Sequence, residues 1–156
     1  MGKKVVRVFL DSNVILSGLL SERGAPRIIL DLLSLRLPFL IGATGRYNLT
    51  EIERNLKNKM PALLPLYKTY LPRLNLKAIP LPRPEDLREL SGQIAEKDMP
   101  VLISAMRSRA DFLVTGDKQH FGKVKEFGKY PFHVLTPSEF VDSILPEILK
   151  GLEEKE

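Results

Sequence analysis

Short apolar runs alternate with amphipathic stretches along the whole chain. Residues 5–10 (VVRVFL) are apolar except for Arg7, as in a strand covered on both faces. A short helix is expected over 12–20 (SNVILSGLL) and a second over 24–37, where Pro26 suits the first turn and Ile28, Ile29, Leu32, Leu33 and Leu35 recur at helical spacing. Residues 38–43 (PFLIGA) predict a strand. Residues 44–60 predict a helix with Ile52, Leu56 and Met60 in one stripe, continued helically over 61–71. A short strand is expected within 74–81, and prolines 80, 82 and 84 mark a connection too short to divide the chain. Helices are expected over 85–96 and 99–110, and strands in DFLVTGD (111–117) and FHVL (132–135). Thr136 and Glu139 have capping-box spacing, with Pro137 at the first helical position, ahead of a helix over 138–151 that Pro146 should bend.

Apolar strands separated by helices predict a three-layer α/β/α fold, a parallel sheet of four to five strands with both faces covered. Right-handed crossovers then bring the C-terminal ends of the strands to one edge, where ligands of such sheets bind. One domain is expected over 1–150, followed by a solvated tail over 151–156.

Composition narrows the class. A chain of 156 residues, 44% hydrophobic and 28% charged, matches a globular domain. No stretch approaches the ~20 apolar residues needed to span a bilayer. The N-terminal MGKKVVRVFLD has no small-residue cleavage site after it and fits a first strand better than a signal sequence. The absence of cysteine excludes disulfides and thiolate metal sites, and a cytoplasmic location is expected. A net charge of +5 favours anionic partners only weakly.

The chemistry lies in the carboxylates. Asp11 ends the first strand and Asp117 lies just past the strand in DFLVTGD, so both belong on one edge. Each has an ordinary alternative: Asp11 as a helix cap, although Ser12 and Asn13 suit that role equally, and Asp117 as a turn residue. Asp98, before a helix with Pro100 in its first turn, also fits a cap. Glu51 and Glu53 are two apart and cannot share a helix face. Thr50 and Glu53 fit a capping box, leaving Glu51 for a cleft or for an ion pair with Arg54. If Asp11, Glu51, Asp98 and Asp117 converged to ~5 Å, each ionised pair would repel by roughly 3 kcal/mol at a dielectric of ~20, so the cluster calls for cations or protons. Oxygen donors without cysteine suit Mg2+ or Mn2+ rather than zinc.

VFLDSNVILSGL, TEIERNL, DMPVLISAM and ADFLVTGDKQHF resemble, in that order, the four acidic motifs of PIN-domain proteins, and most of all the prokaryotic VapC-like toxins. The resemblance spans residues 5 to 140. It implies a central parallel sheet ordered 3-2-1-4-5 and a Mg2+- or Mn2+-dependent ribonuclease holding one or two ions. It also implies a single-stranded RNA substrate, a homodimer and a cognate antitoxin. Carried over, Asp11 and Asp98 would hold the primary metal, with Glu51 and Asp117 completing the shell or orienting water. Asn13, Ser12 (in place of a more usual threonine) and Thr115 would support them. Ala95 stands where many members have a further acid; either Glu96 substitutes for it or the site is leaner, which leaves the second ion open. The implied reaction is in-line hydrolysis of a phosphodiester by a metal-activated water. Lys118, Lys123, Lys125, Arg107 and Arg109 would track phosphates, or serve only as solvated surface charge.

His120 fits either a substrate contact or an ordinary surface histidine, and His133 fits a structural role; Tyr47, Tyr67 and Tyr70 fit base stacking or helix packing equally well. A haloacid-dehalogenase-like phosphatase is disfavoured because Asn13 stands where that pattern needs a second aspartate. The stronger alternative is a PIN-like module that binds RNA or protein without cutting.

Overall fold

The computed structural model describes residues 5–89, 98–117, 121 and 130–153. Five parallel strands, β1 (Val6–Leu10), β2 (Leu40–Gly45), β3 (Lys77–Ile79), β4 (Phe112–Val114) and β5 (His133–Leu135), form one sheet in the order β3-β2-β1-β4-β5. Helices α1 (Ser12–Leu20), α2 (Ala25–Ser34), α3 (Arg46–Lys59), α4 (Leu64–Tyr70), α5 (Pro84–Glu89) and α6 (Met99–Arg107) lie between strands, and α7 (Pro137–Glu153) follows β5. Short 3-10 turns over Pro61–Leu63 and Leu71–Leu74 flank α4.

Because side chains alternate across a strand, β1 feeds two cores. Val6, Val8 and Leu10 pack with Ile29, Leu33 and Ile144 on one face. Phe9 packs with Leu102, Leu113 and Val134 on the other. Burial on both faces explains why the central strands are nearly continuous apolar runs. The direction in which successive strands are added reverses at β1: β2 and β3 are laid down on one side, and β4 and β5 on the other. The switch point therefore lies between β1 and β4, where the C-terminal ends of parallel strands leave a crevice.

Several boundaries differ from expectation, each for a local reason. β2 runs two residues further than expected, because Thr44 and Gly45 pair with Ala78 and Ile79 and the Thr44 hydroxyl donates to the Leu10 carbonyl at 2.8 Å. Consequently α3 starts at Arg46 rather than Thr44. The third strand is only three residues long, since the turn before it ends on Asn75 in the left-handed region, at φ 54°. The capping box before α7 forms as expected: Glu139 N–H donates to Thr136 Oγ1 at 3.1 Å and Thr136 N–H to Glu139 Oε1 at 3.0 Å. α7 passes through Pro146 and extends to Glu153, three residues into the stretch expected as a tail. Of the helix expected over 85–96, residues 90–96 lie outside the described residues.

Candidate functional site

Asp11 leaves β1 in extended geometry and is the N-cap of α1, its Oδ1 accepting from the Ser12 N–H at 2.8 Å. The capping role is therefore real, but it is a small part of what this residue does. Asn48 Nδ2 also donates to Asp11 Oδ1, at 3.1 Å, and the Thr115 hydroxyl donates to Oδ2, at 2.9 Å. These donors come from α3 and from the end of β4, so the carboxylate ties three elements together. Asp11 is 8% exposed, and its pKa is raised, chiefly by burial and to a lesser degree by the Glu51 and Asp98 carboxylates, against the lowering effect of its Thr115 and Ser12 hydrogen bonds.

Thr115 and Asn13 hold the β4 side of the crevice. The Thr115 hydroxyl accepts from the Asp117 N–H at 3.1 Å, and Asn13 Oδ1 accepts from the Gly116 N–H at 2.8 Å. The turn carrying Asp117 is thus fastened to the start of α1. Ser12 is buried; its Oγ accepts from Asn48 Nδ2 at 2.9 Å.

A cavity of about 260 Å³ opens beside Asp11, and Glu51, Asp98, Asp117 and Asn13 also line it. The four acids expected to converge thus come from four different places in the fold and share one concavity. Asp98 occupies the N-cap position of α6, yet its side chain makes no capping hydrogen bond to the helix. Glu51 is selected over Glu53 by the phase of α3, since residues two apart point about 200° from each other. The Thr50–Glu53 capping box does not form, because α3 begins four residues before Thr50, whose hydroxyl instead donates to the Arg46 carbonyl at 3.0 Å. Glu53 is exposed instead, and the Tyr67 phenol is pushed up to about 12 by burial and, secondarily, by the Glu53 carboxylate.

Arg107 and Arg109 are not brought to the cavity. α6 runs from Asp98 back along the sheet, and its nine residues carry the chain about 13 Å before β4 begins. Arg107 lies at its far end and donates to Asp86 of α5, while Arg109 occupies the turn into β4, at φ 56°. Nearness in sequence to Asp117 misleads here, because the intervening strand crosses the sheet from one edge to the other. Lys118, Lys123, Lys125, His120, Ala95 and Glu96 lie outside the described residues. His133 is an exposed residue of β5, its ring 6.1 Å from that of Phe112.

Sequence reasoning missed Asn48, which is fully buried at the third position of α3. Its Oδ1 accepts from the Gly45 N–H at 3.2 Å while its Nδ2 holds Asp11 and Ser12. The local signal was a glycine, which has no capping side chain, followed three residues later by an asparagine able to reach back.

A profile of the PIN domain matches residues 7–119. The chain belongs to the PIN domain family. No curated protein sequence matches it at a significant level. Among solved structures it is similar to a chain in the crystal structure of VapBC2 from Rickettsia felis bound to a DNA fragment from their promoter. The TM-score is 0.57 at 17% identity, over 84% of this chain and 98% of that one. At that identity the likeness concerns the fold, and the two share the PIN architecture. The PIN match spans all four cavity carboxylates.

The donor set of this PIN domain suits a hard divalent cation. An ionised carboxylate offers about four lone-pair sites. Ser12, Asn48 and Thr115 occupy three of those on Asp11, leaving one on Oδ2. Asp11 is thereby fitted to bind a cation through one oxygen. Among the described residues no three acidic or imidazole groups stand close enough to make a ready-made metal cage. Mg2+ does not require one, since it keeps several waters and takes one or two carboxylates.

Proposed function

We propose that this PIN domain is a Mg2+- or Mn2+-dependent endoribonuclease hydrolysing phosphodiesters of single-stranded RNA, and the toxin of a toxin–antitoxin pair acting in the cytoplasm. The observation that carries the reading is the cavity at the β1/β4 switch point, lined by Asp11, Glu51, Asp98 and Asp117 from four separate segments. Burial and neighbouring carboxylates oppose ionisation of Asp11, an arrangement that a bound cation relieves.

In this reading Asp11 and Asp98 would hold the primary ion. A bound Mg2+ or Mn2+ would supply charge neutralisation at the phosphoryl oxygens and a water of lowered pKa. Asp11 is kept in place by Thr115, Asn48 and the Ser12 N–H, so little reorganisation is needed when substrate arrives. Glu51 and Asp117 complete the shell or orient the attacking water. Asn13 and Thr115 fix the turn that carries Asp117.

The partners are proposed on other grounds. Ile28 and Leu35 at α2 and Leu149 and Leu152 on α7 are exposed apolar side chains on helices packed against each other, which supports a homodimer. The antitoxin proposal rests on the VapBC2 likeness and fold class alone.

Cleavage of a labelled single-stranded RNA in Mn2+ tests the activity, with EDTA and Asp98→Asn as controls. We expect cleavage that both controls abolish. Metal binding without cleavage of any RNA tried would support the competing reading, a module that binds without cutting.

A further inference from the structure

The three tyrosines that sequence alone could not separate have different surroundings. Tyr67 is 1% exposed and belongs to the core around Ile52 and Leu56. Tyr70 carries the Arg27 guanidinium 5.4 Å from its ring centroid. Tyr47 is half-buried: part of it packs against the core on the Phe9 face, and part lines the carboxylate cavity. On α3, Tyr47, Glu51 and Asn55 stand four residues apart on one face, and all three line that cavity. The cavity also has an apolar lining, from Leu16 of α1 and Val101 of α6.

Metal-assisted hydrolysis makes no use of an aromatic ring, an apolar wall or an uncharged amide. A nucleotide uses all three, because its base has a flat apolar face and a polar edge. The described cations first expected to serve the substrate, Arg107 and Arg109, lie at the far end of α6. Arg54 is better placed: it is exposed, makes no salt bridge among the described residues, and lies seven residues after Tyr47, two turns along the same side of α3. Burial, then the Glu51 carboxylate, holds that phenol above its ordinary pKa, so the ring stays neutral at working pH.

We propose that α3 carries a nucleotide subsite beside the carboxylates, in which Tyr47 stacks on a base of the RNA, Asn55 hydrogen-bonds the base edge or sugar, and Arg54 holds a neighbouring phosphate. The proposal rests on the ribonuclease reading and names how its substrate is held. A ring anchored on one side by the core is already ordered, so stacking on it costs little entropy.

The test is fluorescence anisotropy with the Asp98→Asn protein, which keeps RNA intact. Two probes of equal length are compared: a short unstructured RNA and an abasic ribose-phosphate oligomer. The RNA should bind about tenfold more tightly, the usual scale of one base–aromatic stack. Adding Tyr47→Ala should remove that ratio, and adding Tyr47→Phe should keep it. Arg54→Gln should weaken both probes alike and reduce the salt slope by about one. Equal binding of the two probes, or a ratio that survives Tyr47→Ala, overturns the subsite. Thermal denaturation of each variant, if unchanged, shows that a lost ratio is not lost folding. Cleavage by the unsubstituted protein is scored separately: base-dependent binding without cleavage removes the nuclease reading and leaves the subsite standing.

Discussion

Asp11 caps a helix and lines the carboxylate cavity at once, and the cap uses only one of its lone pairs. The cap takes one site on Oδ1, Asn48 takes the other, and Thr115 leaves one site open on Oδ2. A carboxyl whose pKa is raised by folding favours its protonated form in the native state. Its contribution to stability is full below the unfolded-state value and is lost as pH rises through the raised one. In EDTA, Asp11→Asn should therefore match the parent in stability below about pH 4, the ordinary aspartate range, and exceed it increasingly as pH rises toward neutral. Denaturant melts of both proteins across that range measure the difference; a constant offset would contradict the raised pKa. Asn48 makes the companion prediction. Asn48→Ala should cost about 1–3 kcal/mol, because it leaves the buried Gly45 N–H without its acceptor and takes from Asp11 one of its three donors. Asn48→Asp keeps the acceptor but sets a second carboxylate against Asp11. It should be less stable than the alanine variant in EDTA and recover part of the loss in Mn2+, read as the melting temperature with and without metal.

At the scale of elements, the junction between β2 and α3 decides the geometry of the site. Gly45 ends β2 and precedes α3, and a Cβ placed there would lie 2.8 Å from both Asn48 Oδ1 and Ser104 Oγ. The close approach of α6 to β2 and the reach of Asn48 back to the strand end both need that hydrogen. Gly45→Ala should destabilise the fold by about 1–3 kcal/mol and also weaken Mn2+ binding, because the side chain it displaces holds Asp11. Calorimetric titration of Mn2+, alongside a melt, checks both effects. Elements also differ in how well the sequence announces them. The capping box before α7 was legible because Thr136, Pro137 and Glu139 are each locally specific. The Thr50–Glu53 pair has the same spacing and forms no box, because the pairing of Thr44 and Gly45 in the sheet sets where α3 begins. That start also gives Glu51 to the cavity and leaves Glu53 exposed.

At the scale of the molecule, the parallel sheet with its switch between β1 and β4 brings four acids together although they span most of the chain. If these carboxylates hold a cation, that cation should stabilise the folded protein by mass action. At a hundred times its dissociation constant, Mg2+ or Mn2+ should add about 2.7 kcal/mol, or roughly 5–10 °C of melting temperature for a domain of this size. EDTA should reverse the gain and Asp11→Asn should abolish it; differential scanning fluorimetry is sufficient. A melting temperature indifferent to both ions would count against the metal site itself.

Local physics made part of this protein legible from its residues alone. Apolar runs that stop on Asp11 and near Asp117, helical spacing between them, and turn residues at the joints determine a covered parallel sheet with acids at its C-terminal edge. Each of those signals depends only on neighbours in sequence. Contacts between distant segments decided the rest. Thr115 reaches Asp11 across 104 residues, and Asn48 looks like an ordinary polar residue until β2 and β1 pair and bury it against that carboxylate. Arg107 and Arg109 seem close to Asp117 along the chain, yet the return of α6 across the sheet carries them to the opposite edge. Spacing along a sequence sets which side chains can share a face of one element. Only the packing of elements sets which faces meet, and the hydrogen bonds that aim Asp11 exist only where they do.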